Sequence, residues 1–364
     1  MIGNKIILVT GAGGSIGSEL CRQIAELGPR HLVITDHSEF LLYLLDTELR
    51  EKYPHVNIST RIMSVRDNVR ISAIFDEFRP DGVFHAAALK HVPLMEANPL
   101  EAIKTNLLGT RFLADAAVKH ETANFVMIST DKAVNPTSVM GATKRAAEAY
   151  CQSLDVGPQK TRFKTVRFGN VLGSNGSVVP RFQEQIQSGG PITVTHPDIV
   201  RFFMTIPEAV RLVLNAAAHY TDSSEGARGK IMVLDMGEPV RIVDLAERMI
   251  QLAGLRPNID VDIAFTGLRP GEKLYEELFD PSEIQEKHPG SVYFIASPRI
   301  IDAGLLHKTL SALETAVARG DQARAIELLH HIVPEYGQDD IGTTDTPKPV
   351  KRGRSLDRPV ESPR

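Results

Sequence analysis

The chain has 364 residues, 42% hydrophobic and 24% charged, with 41 Lys and Arg against 45 Asp and Glu for a formal charge of −4. That balance excludes a basic, phosphate-coating surface of the kind that binds nucleic acid. Two cysteines, Cys21 and Cys151, exclude a disulfide framework and a cysteine-rich zinc site. No apolar run approaches the ~20 residues that span a bilayer.

Strands and helices alternate from the start. Lys5–Thr10 carries a continuous apolar run, as strands buried on both faces of a parallel sheet do. A Gly-rich turn follows, then a helical pattern to Leu27. Strands are predicted at His31–Thr35, Asn57–Met63, Gly82–His85, Asn124–Ser129 and Phe163–Phe168. Helices are predicted at Ser38–Glu51, Val69–Phe78, Leu100–His120 and Gly141–Leu154. This alternation implies right-handed βαβ crossovers and an α/β, doubly wound parallel-sheet fold. After Gly169 the regularity fades into a Gly-, Ser-, Asn- and Pro-rich stretch, as in loops and lids. Helices at Pro207–Ala218 and Ile242–Leu252 flank a strand at Lys230–Met236. The expected division is a cofactor domain over 1–170, with elements near 205–240 returning to it. A smaller C-terminal unit, mainly substrate-binding, covers 171–336. Residues 337–364 form a basic, Pro-rich tail; Thr343–Arg364 has six Lys/Arg against three Asp/Glu and too few apolar residues to order itself.

Gly11, Gly14 and Gly17 lie between the first strand and the first helix, the context that gives such glycines meaning. Gly11 permits a tight turn, Gly14 lets backbone approach a pyrophosphate, and Gly17 lets helix and strand pack closely. Ser15 and Ile16 open the helix, whose N–H groups suit phosphates. Asp36 ends the second strand nineteen residues after Gly17. A carboxylate there accepts from a ribose 2′-hydroxyl and repels a 2′-phosphate, which selects NAD over NADP. The competing reading is a helix cap, a role His37 and Ser38 could share. Asp67 either meets an adenine edge or caps the next helix. Ala86 and Ala87, in a His-Ala-Ala-Ala run, permit close cofactor approach.

These features, with Asn106 and Lys144, occur in an order that resembles the extended short-chain dehydrogenase/reductases, a Rossmann-fold superfamily. Ser129-Thr130-Asp131-Lys132-Ala133-Val134-Asn135-Pro136 followed by Met140-Gly141-Ala142-Thr143-Lys144 narrows the resemblance. It is similar to the polysaccharide-biosynthesis branch of nucleotide-sugar 4,6-dehydratases. Arg167–Ser174, Arg201–Thr205 and Arg269–Lys273 match that branch as well. The resemblance implies an NAD-dependent lyase that converts UDP-N-acetylglucosamine to a 4-keto-6-deoxy sugar for surface glycan synthesis. A UDP-sugar C4 epimerase and a non-catalytic NAD-binding module are the alternative readings. The resemblance also implies a homo-oligomer, and the two cysteines, the short polar start and the lack of a spanning run lead to the expectation of a cytoplasmic protein. Many members of the branch carry a membrane domain, so association with the inner membrane face through a segment outside this chain is a further expectation.

The superfamily's Tyr-x-x-x-Lys is absent: Met140 stands four residues before Lys144. A thioether has no proton to give, so Met140 occupies the catalytic position but reads as packing. The resemblance assigns Asp131 to protonate the departing C6 hydroxyl and Lys132 to take the C5 proton. Thr130 is a partner for the C4 oxygen, and Lys144 also a ligand of the nicotinamide ribose. Desolvation and nearby Lys144 are expected to depress the Lys132 pKa. Asn170 and Arg269 are the expected contacts to sugar and diphosphate, with Lys90 and Arg201 as weaker candidates. No His, Cys or acidic spacing points to a metal.

Overall fold

A computed structural model describes residues 1–219, 228–280, 283–286 and 293–337. Its first half runs β1 (Ile6–Thr10), α1 (Ser15–Glu26), β2 (His31–Asp36), α2 (Glu39–Lys52), β3 (Ile58–Ile62), α3 (Asn68–Phe78), β4 (Gly82–His85), α4 (Val92–Ala97), α5 (Pro99–Ala102), α6 (Gly109–Lys119), β5 (Asn124–Thr130), α7 (Val139–Val156) and β6 (Arg162–Phe168). The second half contains β7 (Asn170–Val171), α8 (Val178–Gln187), β8 (Ile192–Val194), β9 (Val200–Arg201), β10 (Phe203–Met204), α9 (Ile206–His219), β11 (Ile231–Leu234), β12 (Val240–Arg241), α10 (Ile242–Leu252), β13 (Ile263–Phe265), β14 (Ile284–Glu286), β15 (Tyr293–Ser297), α11 (Ala303–Ala318) and α12 (Gln322–Ile332).

Nine strands form one sheet in the order β14-β15-β11-β6-β5-β4-β1-β2-β3. All pairings from β11 to β3 are parallel, and β15 joins β11 antiparallel. Both faces are covered, which is why the strands read as continuous apolar runs. Alternation sorts β1 between two cores: Leu8 faces the cluster under α3, α6 and α7, while Ile7 and Val9 face the cluster under α1, α2 and α9. A third, smaller cluster around Phe182, Ile192, Val194, Ile242 and Ile250 is the core of the second unit. Among the described residues no helix is long and apolar enough to cross a membrane.

Two expectations change. The single helix over Leu100–His120 is α5 and α6 joined by a π turn at Ile103–Leu108, which contains Asn106. The C-terminal unit also ends earlier than residue 336. β15 extends the large sheet, and Leu306, Leu310, Leu313, Leu328, Leu329 and Ile332 of α11 and α12 enter the same core as Phe125 and Ala146. This cluster buries the apolar faces of both helices. The predicted tail, apart from Gly337, lies outside the described residues.

Candidate active site

At the C-terminal edge of the sheet, Gly11 turns with φ +69°, and a Cβ there would lie 2.5 Å from the Ala87 nitrogen. The small residues Ala86 and Ala87 and the bare Gly11 thus let β4 and the loop touch. Gly17 packs tighter still, with a Cβ placed 1.9 Å from the Gly11 carbonyl oxygen. Gly14 differs: its Cβ would meet only that same oxygen, at 3.3 Å. Gly14 caps α1 without a side chain, leaving the N–H groups beside Ser15 and Ile16 without a side-chain acceptor. This open cradle fits a diphosphate. Ser15 accepts a hydrogen bond from the Asn175 N–H at 3.2 Å, which folds the 172–177 loop against the cradle.

Asp36 is buried and accepts from the Gly13 and Ser38 N–H groups, each at 2.9 Å. His37 lies beside it, 3.1 Å away, and Ser38 caps α2. Of the two readings of Asp36, the helix cap falls to Ser38, while the Asp36 carboxylate braces the glycine turn. Gly13, which sequence reasoning passed over, makes that brace possible, since its Cβ would strike the Leu41 Cβ at 2.6 Å. Asp67 caps α3 by accepting from the Arg70 N–H at 2.9 Å. Asn106 is fully buried and clamps Leu89 through both ends of its amide, at 2.8 and 2.9 Å. It shapes the loop after β4, and this polar task accounts for the residue type.

His85, fully buried at the end of β4, was likewise not singled out. Thr110 donates its hydroxyl proton to the Asn106 carbonyl, so it accepts from His85 Nε2–H at 2.9 Å. Nδ1 then accepts from Thr10 at 2.8 Å. Burial, with Lys144 adding repulsion, pushes the imidazole pKa down to about 3. The ring is neutral, and its tautomer follows from this chain of donors.

Lys144, on α7, is buried and donates to the Ile128 carbonyl of β5 at 2.6 Å. Desolvation lowers its pKa to about 8, with Glu148 pulling the other way. Met140, one turn earlier, is 3% exposed within the core cluster. It packs, and no acid–base contact reaches it.

The acid–base group sits where β5 ends. Thr130 donates to Asp131 Oδ1 at 2.8 Å, and Lys132 Nζ donates to the same oxygen at 3.0 Å. Asp131 Oδ2 is buried without a hydrogen-bond partner. Lys132 also meets Asn170 Oδ1 at 3.3 Å and Glu276 Oε1 at 3.4 Å. The expected depression of its pKa is therefore corrected. Desolvation does lower it, but the carboxylates of Asp131 and Glu276 outweigh that and hold it above the usual lysine value. Lys132 is an ammonium here because two acids, not Lys144, dominate its surroundings. Gly141 allows this placement: a Cβ there would stand 2.1 Å from the Lys132 carbonyl oxygen.

A cleft of about 130 Å³ opens over the group, lined by Val92, Lys132, Ser138, Arg201, Arg269, Gly271, Glu272, Lys273 and Glu276 among others. Arg269 is exposed, and its guanidinium has no protein partner among the described residues. Arg201 is spent on protein: it donates to the carbonyls of Val200, Leu274 and Lys273 and pairs with Glu272 and Glu276. Asn170 contacts Lys132, and Lys90 reaches Ser174 at 3.3 Å rather than the cleft wall. Glu276 itself carried no local sequence signal.

The family model described as "Polysaccharide biosynthesis protein" matches residues 7–298. The chain is 55% identical over 291 residues to the capsular polysaccharide biosynthesis protein CapD of Staphylococcus aureus, covering 80% of this chain but only 47% of that protein. The chain thus spans about half the length of this relative. It is 33% identical over 304 residues to the inverting UDP-N-acetylglucosamine 4,6-dehydratase of Campylobacter jejuni, covering 82% of this chain and 85% of that one. The solved structure of Pen from Bacillus thuringiensis superposes with a TM-score of 0.72 at 34% identity, over 83% of this chain and 90% of the other.

Proposed function

The chain belongs to the polysaccharide biosynthesis protein family, within the extended short-chain dehydrogenase/reductases, and on that premise we propose that it is an NAD-dependent nucleotide-sugar 4,6-dehydratase. Its substrate in this reading is UDP-N-acetylglucosamine and its product a UDP-4-keto-6-deoxy sugar for surface glycan synthesis. The observation that carries the proposal is the Asp131–Lys132 contact of 3.0 Å at the mouth of the cleft, with the second Asp131 oxygen buried and unpartnered.

NAD fits the chain's own residues: the bare Gly14, the uncapped start of α1, the Asp36 carboxylate and the buried Lys144 amine. When bound it supplies a reversible hydride acceptor. Asp36 would hold the adenosine ribose and Lys144 the nicotinamide ribose. Arg269 offers a bidentate fork to the UDP diphosphate.

The side chains manage protons. In the resting site Lys132 is an ammonium and Asp131 a carboxylate. Moving one proton across their contact creates a free amine and a carboxylic acid. The amine takes the C5 proton of the 4-keto sugar, and the acid protonates the C6 hydroxyl so that it leaves as water. The pair is then back in its resting state. The C4 hydroxyl proton released in the first oxidation passes through Thr130 to solvent, leaving the pair in its resting state, and after the dehydration Lys132 returns a proton to C5 and regains one from solvent. Because an ammonium exchanges with solvent, C5 acquires solvent hydrogen.

Incubation with UDP-N-acetylglucosamine and NAD in deuterated water, followed by NMR, tests the reading. The expected product is a 4-keto-6-deoxy sugar with deuterium at C5 and no lasting rise in reduced-cofactor absorbance. A product that keeps its C6 oxygen and gains no deuterium at C5 would instead establish an epimerase. An unchanged sugar would leave only cofactor binding.

A further inference from the structure

Two acids of the cleft wall, Glu272 and Glu276, have no task in the proposed reaction, and of the two it is Glu276 that meets Lys132. Its side chain is 4% exposed. Oε1 faces Lys132 Nζ at 3.4 Å and Arg201 Nε at 3.6 Å, while Oε2 is buried with no hydrogen-bond partner. An acid buried in this way is costly unless something fixes its charge. Two cations do so here, and one of them is the amine assigned to C5. Lys132 Nζ donates hydrogen bonds to Asp131 Oδ1 and Asn170 Oδ1, and Glu276 Oε1 adds an ion pair to the same amine.

We propose that Glu276 is a positioning residue for the dehydration: its carboxylate clamps Lys132 against Asp131 and Asn170 and so determines when that amine is free to take a proton from the sugar. The inference rests on the dehydratase reading for its consequence, but not for its geometry. The charged groups around Lys132 are Asp131 and Glu276, which favour its proton, and Arg201, which opposes it. Glu272 acts one step away, by pairing with Arg201 at 3.4 Å. Taking away the Glu276 charge leaves Asp131 as the sole acid in contact. The proton then passes to Asp131 more readily, and the free amine appears at lower pH.

Two variants test this. Glu276→Gln keeps the shape and an acceptor but removes the charge; Glu276→Asp keeps the charge. The first readout needs no turnover: trace acetylation by acetic anhydride across a pH series, with mass spectrometry of the peptide that contains Lys132. Glu276→Gln is expected to move the labelling midpoint down by about one pH unit, a roughly tenfold faster labelling at pH values below it. Glu276→Asp should stay close to wild type. The second readout is the pH profile of kcat for the keto-sugar product, whose rising limb should move down in step. An unmoved midpoint in folded Glu276→Gln overturns the inference, and so does an equal shift in both variants. A shifted midpoint in protein that makes no keto-sugar supports the clamp and removes the dehydratase reading instead.

Discussion

The most stringent single substitution is Gly141→Ala. Alanine is the better helix former, so local propensity alone predicts a more stable α7. The tertiary contact predicts the reverse. The added Cβ would sit 2.1 Å from the Lys132 carbonyl oxygen and 3.0 Å from the Pro136 Cβ. Helix and loop must separate by about 1 Å before even the tightest tolerated contact is reached. Overpacking of this kind costs about 1–3 kcal/mol. The same movement acts on hydrogen bonds of 3.0 and 3.3 Å that place Lys132 against Asp131 and Asn170. A 1 Å displacement at a reacting group costs on the order of a hundredfold in rate. Urea unfolding should show the lost stability, and turnover of UDP-N-acetylglucosamine the lost rate. NAD affinity, read by calorimetry, should fall less than the rate, because the phosphate cradle lies on another loop and only Lys144 of α7 moves with the helix. A variant with wild-type urea midpoint and wild-type kcat would refute the reasoning.

Gly17→Ala should act on the cofactor instead. Its Cβ, 1.9 Å from the Gly11 carbonyl oxygen, forces α1 off the loop, and calorimetry with NAD should show a roughly tenfold to hundredfold loss of affinity. Unchanged binding would mean that α1 does not hold the phosphates. His85 gives a pH prediction. Its folded pKa, about 3, lies below its ordinary 6.5, so the unfolded chain binds the extra proton between those values. The contribution is complete above pH 6.5 and drains away as the pH falls, by about 2 kcal/mol at pH 5. His85→Asn, which cannot take that proton, should lose less stability than wild type between pH 7 and pH 5 in urea titrations; equal losses would show that the ring is not held neutral.

The first half of the fold was legible because a parallel sheet covered on both faces writes each strand as an apolar run and each crossover as a helix. The glycine turn was legible for a related reason, since Gly11 at positive φ and Gly17 against the Gly11 carbonyl are set by the strand–turn–helix around them. Legibility ended where one residue type serves two tasks. Asp67 had two competing readings, and its cap on α3 is the visible one. Asn106 matched a cofactor landmark but spends its amide on Leu89. Lys132 lines the cleft, yet the depression expected of its pKa is reversed by Asp131 and Glu276. Glu276 approaches it from a distant loop, and no spacing along the chain encodes that approach. The C-terminal helices were missed for the same reason: only the folded sheet shows which face they cover.

That last placement has a consequence for how the molecule can be made and divided. Residues 1–170 hold the glycine turn and six neighbouring strands, and they invite excision as a minimal unit. Yet the apolar surface beneath α7 is closed by α11 and α12, whose residues are the last of the described chain to leave the ribosome. Until then the nascent sheet carries an uncovered hydrophobic face, and contacts of such long sequence separation form slowly. A truncated half would keep that face permanently. The practical boundary for dissection is therefore at Val333, beyond α12, rather than at the end of the sixth strand.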